Sequence, residues 1–236
     1  MSASTPADPQ LSIVIPVYNE SGNLEPLIEE IERTLASRMR FEVIVVDDGS
    51  VDLTVTEAAS LAAVHDWLRV ERHDHNRGQS AAIRTGVGAA RAPIVAVLDG
   101  DGQNDPADIP SLFAALLLSD TRMTVGDRRT RRDRLSRRIS SRLANTVRAS
   151  ILHDGIRDTG CGLKVFYRED FLELPAFDHM HRFLPALMRQ RGRKVRSVPV
   201  NHRPRRHGCS KYGIRNRLWA GIVDLLGVMW LERRRI

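Results

Sequence analysis

Two groups of carboxylates in this sequence have the types and spacing to hold a divalent cation and a nucleotide. The run Asp99-Gly100-Asp101-Gly102-Gln103 sets two carboxylates and an amide oxygen at alternate positions. In an extended chain such positions face one way, so Asp99, Asp101 and Gln103 are expected to converge on one hard cation. Oxygen ligands of this kind suit Mg2+ or Mn2+, with substrate phosphates completing the coordination. An EF-hand reading fails: counted from Asp99, the sixth residue is Asn104 rather than Gly and the twelfth is Pro110 rather than Glu. The alternative for these residues is a plain acidic turn, since Asp-Gly is common turn chemistry.

The second group is Pro16, Tyr18 and Glu20, with Asp47 and Asp48 further on. Carboxylates at strand ends can accept from a ribose hydroxyl or a base N–H, and Tyr18 can pack beside a base. The plainer alternative is that Asp48-Gly49 closes a turn and Glu20 opens a helix. A dinucleotide-binding fold is disfavoured, because no GxGxxG follows the first apolar run. The GVGAAR at 86–91 falls inside a helical pattern.

The elements that must position these groups alternate. Leu11 to Val17 is a continuous apolar run of the kind a buried parallel strand shows. Leu24, Leu27, Ile28, Ile31 and Leu35 follow at helical spacing, with Ser21 as the expected cap. Phe41 to Val46 reads as a second strand ending in Asp47-Asp48-Gly49-Ser50. A helix from Leu53 to His65, a strand from Trp67 to Arg72, a helix from Ser80 to Arg91 and a strand over the run IVAVL come next. The pattern implies an α/β fold, a mostly parallel sheet flanked by helices. Ligands bind beyond the carboxyl ends of strands in such sheets, which is where the acidic groups fall. The expected organisation is a flexible stretch at 1–10, one catalytic domain over 11–213, and a C-terminal amphipathic, interfacial segment at 214–236.

Composition narrows the partners. The chain has 236 residues, 42% hydrophobic and 28% charged, with a formal charge of +7 and a pI of about 10.2. A core is supported, and the charge implies an anionic partner. Cys161 and Cys209 lie far apart with no CxxC spacing, which argues against a disulfide scaffold or zinc site. Residues 1–10 lack the features of a secretory signal. No run reaches the roughly 18 to 20 apolar residues of a membrane span; Leu218 to Leu231 comes nearest and is interrupted by Asp224. A cytoplasmic protein, peripherally associated with the membrane, is the expectation.

The excess charge is concentrated at 127–152. Nine arginines there face two aspartates, a surplus equal to the chain's whole formal excess. Leu135, Ile139, Leu143, Val147 and Ile151 recur every fourth residue, so this segment reads as a basic amphipathic helix for a membrane surface. A solvated helix packed on the core is the alternative. Because the arginine excess is local and acidic groups occupy the strand ends, no nucleic-acid partner is expected. A non-enzymatic basic module that binds membrane or nucleic acid is the competing class.

With these residues in place, the motifs IPVYNE, VVDDGS, NRGQSAAIRTG and LDGDGQNDP, in this order, resemble the inverting family 2 glycosyltransferases of the GT-A fold. DTGCGLKVF at 158–166 and HRPRRHGCSKYG at 202–213 are similar to the polyprenyl-phosphate (dolichol-phosphate) hexosyltransferases within that family. The resemblance implies a nucleotide pocket that includes Asp47, Asp48 and Asp99, and metal ligation by Asp99, Asp101 and Gln103. It implies that Arg205, Ser210 and Lys211 close over the donor diphosphate and that Arg128, Arg137 and Ser141 hold the acceptor phosphate. Asp101 and Asp158 are then the candidate catalytic carboxylates, with Asp158 nearest the reacting centre. His181-Arg182-Phe183 is expected to face the acceptor, while His179 and His181 read as surface histidines. The implied activity is transfer of a hexose, mannose or glucose, from a nucleotide sugar such as GDP-mannose or UDP-glucose to a polyprenyl phosphate. A saccharide or soluble acceptor on the same fold is the alternative.

Overall fold

A computed structural model describes residues 8–118, 120–128, 155–156, 158–204, 224–230 and 234. Among these described residues seven strands form one sheet: β1 (Leu11–Val17), β2 (Phe41–Asp47), β3 (Leu68–Arg72), β4 (Ile94–Val97), β5 (Thr121–Asp127), β6 (Lys164–Tyr167) and β7 (Lys194–Pro199), in the order β3-β2-β1-β4-β6-β5-β7. Pairing is parallel except for β6, which runs antiparallel to both β4 and β5.

Both faces of the sheet are covered, which is why β1, β2 and β4 are mostly apolar rather than alternating. Leu11, Ile13 and Ile15 of β1 face one core with α1 (Leu24–Leu35), α2 (Thr54–Val64) and α4 (Ile109–Leu117). Val14, Ile44 and Val46 face the other, which holds α3 (Gln79–Ala89), α5 (Arg168–Leu172) and α6 (Leu184–Gln190). The apolar residues expected on α1 are all buried, each worth about 1.5–3 kcal/mol.

Ser21 does not cap α1. Asn23 sits at that position without a side-chain capping bond. The start of the helix is held instead by the turn before α2 and by α2 itself, on the same face of the sheet. Ser21 N donates to Asp52 Oδ2 at 3.4 Å, Gly22 N to Glu57 Oε2 at 2.8 Å and Glu25 N to Glu57 Oε1 at 3.1 Å. These carboxylates do the work of a local cap.

Of the C-terminal segment, residues 224–230 are described and helical (α7). Val228 is buried in the second core, with Leu225 and Met229 partly buried beside it. His179 Nδ1 meets Asp224 Oδ2 at 2.9 Å. Leu226 and Trp230 point outward, more than half exposed. Among the described residues, no helix is long and apolar enough to cross a membrane.

Candidate active site

The strand directions bring the acidic groups to one edge. Asp47 is the last residue of β2, opposite Val17 at the end of β1. Asp99 follows β4 closely, and Arg128 follows β5 directly. Because β6 is antiparallel, its first residue, Lys164, and the preceding 158–163 segment arrive at this same edge, with Lys164 opposite Val97 and Val125.

Residues 99–103 form a turn rather than the extended chain expected from their alternation. Asp101 Oδ1 accepts from Gln103 N at 3.1 Å, and Gly102 takes a φ of +69°. The Gly residues permit this reversal. Asp99 is gripped on both oxygens: Gln79 Nε2 donates to Oδ1 at 2.8 Å and Asn104 Nδ2 to Oδ2 at 3.4 Å. Desolvation and the neighbouring Asp101 charge raise the Asp99 pKa above its usual value, against the opposing pull of Lys164 and Arg128. A buried pair of like charges of this kind is what a divalent cation neutralises. No three His, Cys, Asp or Glu side chains among the described residues form a closed metal cage. Asp99, Asp101 and the Gln103 amide oxygen are the oxygen donors of this turn that could hold such a cation.

Gln103 is also tied to the 201–204 segment. Arg203 N donates to Gln103 O at 3.0 Å, and Gln103 Nε2 lies 3.5 Å from Arg203 O. The Arg203 guanidinium spans Glu30 and Asp105, at 2.7 Å to each.

Pro16 is buried at the end of β1, while Tyr18 and Glu20 are partly buried in the loop after it. That loop is pinned to the stretch beyond β2: Asn19 N donates to Ser50 Oγ and Glu20 N to Thr54 Oγ1, both at 2.9 Å. Asp47 is fully buried; its Oδ1 accepts from Ser50 N at 3.2 Å, and its Oδ2 lies 3.5 Å from Arg72 Nε. Asp48 is spent inside the protein. Its Oδ1 meets His73 Nδ1 at 2.7 Å and Arg77 N at 2.9 Å, and its Oδ2 accepts from Gly78 N at 2.8 Å. Asp48 therefore orders the 73–78 loop that delivers Gln79 to Asp99.

Arg128 and Asp158, assigned separate tasks from sequence, are joined. Arg128 Nε donates to Asp158 Oδ2 at 2.6 Å and Nη2 to Oδ1 at 2.8 Å. Arg137, Ser141, Arg205, Ser210 and Lys211 lie outside the described residues, as do Cys209 and most of the basic and C-terminal segments. His179 and His181 are partly buried and engaged rather than free surface histidines: the first pairs with Asp224, and the second places Nδ1 2.8 Å from Ser80 Oγ. Burial, with Lys164, Arg182 and His179 nearby, lowers the His181 pKa well below its usual 6.5.

Gln79, Asn104, Gly162 and Lys164 escaped the sequence reading as individual site residues. Lys164 is 4% exposed, donates to the Cys161 carbonyl, and has its pKa lowered by burial. A lone lysine in the apolar run LKVFY was its signal. Gly162 passes against Asp99: a Cβ there would stand 1.9 Å from Asp99 Oδ2.

Dodecaprenyl-phosphate galacturonate synthase of Rhizobium johnstonii is 37% identical over 229 residues, covering 95% of this chain and 68% of that one. Undecaprenyl-phosphate 4-deoxy-4-formamido-L-arabinose transferase of Edwardsiella ictaluri is 36% identical over 214 residues, covering 86% of this chain and 63% of that one. The chain thus spans about two thirds of the length of these relatives. Glucosyl-3-phosphoglycerate synthase from Mycobacterium tuberculosis, solved with Mg2+ and uridine diphosphate, superposes with a TM-score of 0.73 at 20% identity, covering 95% of this chain and 79% of that one. That likeness establishes the GT-A architecture alone. The family model for glycosyl transferase family 2 matches residues 12–174, so the chain belongs to glycosyl transferase family 2.

Proposed function

We propose that the protein transfers a sugar from a nucleoside diphosphate sugar to a polyprenyl phosphate, with inversion, at the cytosolic face of a membrane. The observation that carries this reading is the meeting of the Asp99–Asp101 turn with the Arg128–Asp158 pair at one end of the sheet. It supplies a cation site for a leaving diphosphate beside a guanidinium for a second phosphate. The relatives support the acceptor class, since both are named for polyprenyl phosphates.

Asp99, Asp101 and Gln103 would hold Mg2+ or Mn2+, which when bound offsets the negative charge growing on the departing diphosphate. Pro16, Tyr18, Glu20 and Asp47 border the nucleotide, and Asp48 acts there through the 73–78 loop. Arg205, Ser210 and Lys211 are assigned to the diphosphate, and Arg128, Arg137 and Ser141 to the acceptor phosphate. An acceptor phosphate oxygen attacks the anomeric carbon as its bond to the donor phosphate oxygen breaks. The nucleoside diphosphate leaves with the bonding electron pair. The basic 127–152 segment, and the exposed Leu226 and Trp230 of α7, suit peripheral attachment to an anionic bilayer.

GDP-mannose and UDP-glucose both fit the motifs. The relatives named for galacturonate and for a formamido-arabinose extend the candidates to uronic acids and modified pentoses. The test incubates the protein with farnesyl phosphate and labelled GDP-mannose, UDP-glucose or UDP-galacturonate, with and without chelator. The expected result is an organic-extractable product from one donor that vanishes when the cation is removed. Label appearing only in water-soluble products would refute the lipid acceptor.

A further inference from the structure

Arg128 and Asp158 come from different parts of the fold, the end of β5 and the approach to β6, yet their side chains meet as a two-pronged fork. Asp158 Oδ2 also accepts from Arg128 N at 3.3 Å. The pair is almost sealed, with 10% and 9% of the two side chains exposed. Gly160 lies over it: a Cβ there would stand 3.4 Å from Arg128 Nη2 and 3.8 Å from Asp158 Oδ1.

A general base needs an oxygen turned to its substrate, and both oxygens of Asp158 accept from Arg128. Burial alone would lower the Arg128 pKa, but the hydrogen bonds and charge of Asp158 outweigh it and raise the value. The cation is therefore permanent. An acceptor phosphate is already an anion, and its attack releases no proton, so the reaction asks for orientation rather than proton removal. A guanidinium on a long side chain is oriented only when some of its donors are fixed, and a carboxylate fork fixes them.

We infer that Asp158 is a positioning residue: it fixes Arg128 so that the remaining guanidinium donors hold the acceptor phosphate, and it acts through Arg128 rather than as a base. The inference rests on the polyprenyl-phosphate reading above.

The test compares the parent with Arg128→Gln, Asp158→Asn and the double variant. Circular dichroism checks folding, and the double variant avoids leaving one buried charge unpaired. Calorimetry gives the Kd for farnesyl phosphate, and turnover gives kcat and acceptor KM over a pH series. Each single variant is expected to weaken farnesyl phosphate binding by about ten- to a hundredfold, the loss of a charge-assisted hydrogen bond. The double variant should bind no more weakly than Arg128→Gln, and kcat of Asp158→Asn should keep the parent's pH dependence. The inference is overturned if Asp158→Asn leaves Kd and KM unchanged while kcat collapses and its pH dependence disappears. It is equally overturned if the double variant shows the product of both single losses. Should a single variant not fold, the double decides: raised KM with an intact pH dependence supports the inference, and a lost pH dependence refutes it. A parent that binds farnesyl phosphate without glycosylating it refutes the acceptor reading alone; one that does neither refutes both.

Discussion

The Asp99 carboxylate occupies the space that a side chain on Gly162 would fill, with a Cβ there falling 1.9 Å from Asp99 Oδ2 and 2.8 Å from Asn104 Nδ2. The 158–164 segment is thus shaped around the carboxylate that heads the proposed cation site.

Gly162→Ala should therefore damage the site more than the fold. The added methyl must displace Asp99 from Gln79 and Asn104, because the two cannot share the space. Mn2+ affinity in the presence of UDP, measured by electron paramagnetic resonance, should fall at least tenfold, while thermal melting shifts by only a few degrees. Unchanged Mn2+ affinity would mean that Asp99 is not a ligand.

Asp48→Asn should loosen the approach to α3. Its carboxylate accepts from the backbone of Arg77 and Gly78 and meets His73, and bonds to a charged acceptor contribute about 1.5–3 kcal/mol each. A loss of about 2 kcal/mol in urea unfolding is expected, with faster amide exchange at residues 76–79. The adjoining turn should be equally intolerant at Gly49. Its φ is +76°, and a Cβ would stand 2.5 Å from the His75 carbonyl carbon.

Acid should destabilise the fold in two stages. His181 has a folded pKa well below its usual 6.5, so the unfolded chain takes the proton first and stability falls as pH drops below about 6.5. Glu42 at the opposite end of the sheet accepts from Ser12, Arg69 and Arg91. Burial alone would raise its pKa, but those partners depress it below 4.5. Its contribution is present above pH 4.5 and is lost as pH falls from there through its folded value. Melting temperature against pH should show both declines, with His181→Gln removing the first and Glu42→Gln removing the second. A flat profile from pH 7 to 5 would contradict the burial of His181.

The central half of the sheet is legible because burial on both faces leaves β1, β2 and β4 as mostly apolar runs, and α1 repeats its apolar residues at helical spacing. β6 is not: four residues beginning with Lys164 carry too little periodicity. Its reversed direction, which no local pattern encodes, is what brings Asp158 to Arg128 across thirty residues. The DGDGQ run, whose alternation suggests extended chain with an acidic turn as the alternative, is a turn: Asp101 accepts from Gln103 N and Gly102 takes a positive φ. Gln79 was hidden because its role depends on the Asp48-ordered loop, a contact between side chain and distant backbone.

The Asp99–Asp101 turn is proposed to hold a divalent cation against the donor's two phosphates. Crystals grown with Mn2+ and UDP test it most directly through anomalous scattering from manganese. A single strong peak is expected within bonding distance of Asp101 and the diphosphate, lost in Asp99→Asn/Asp101→Asn. A nucleotide bound with manganese elsewhere, or with the peak unchanged in that variant, would contradict it.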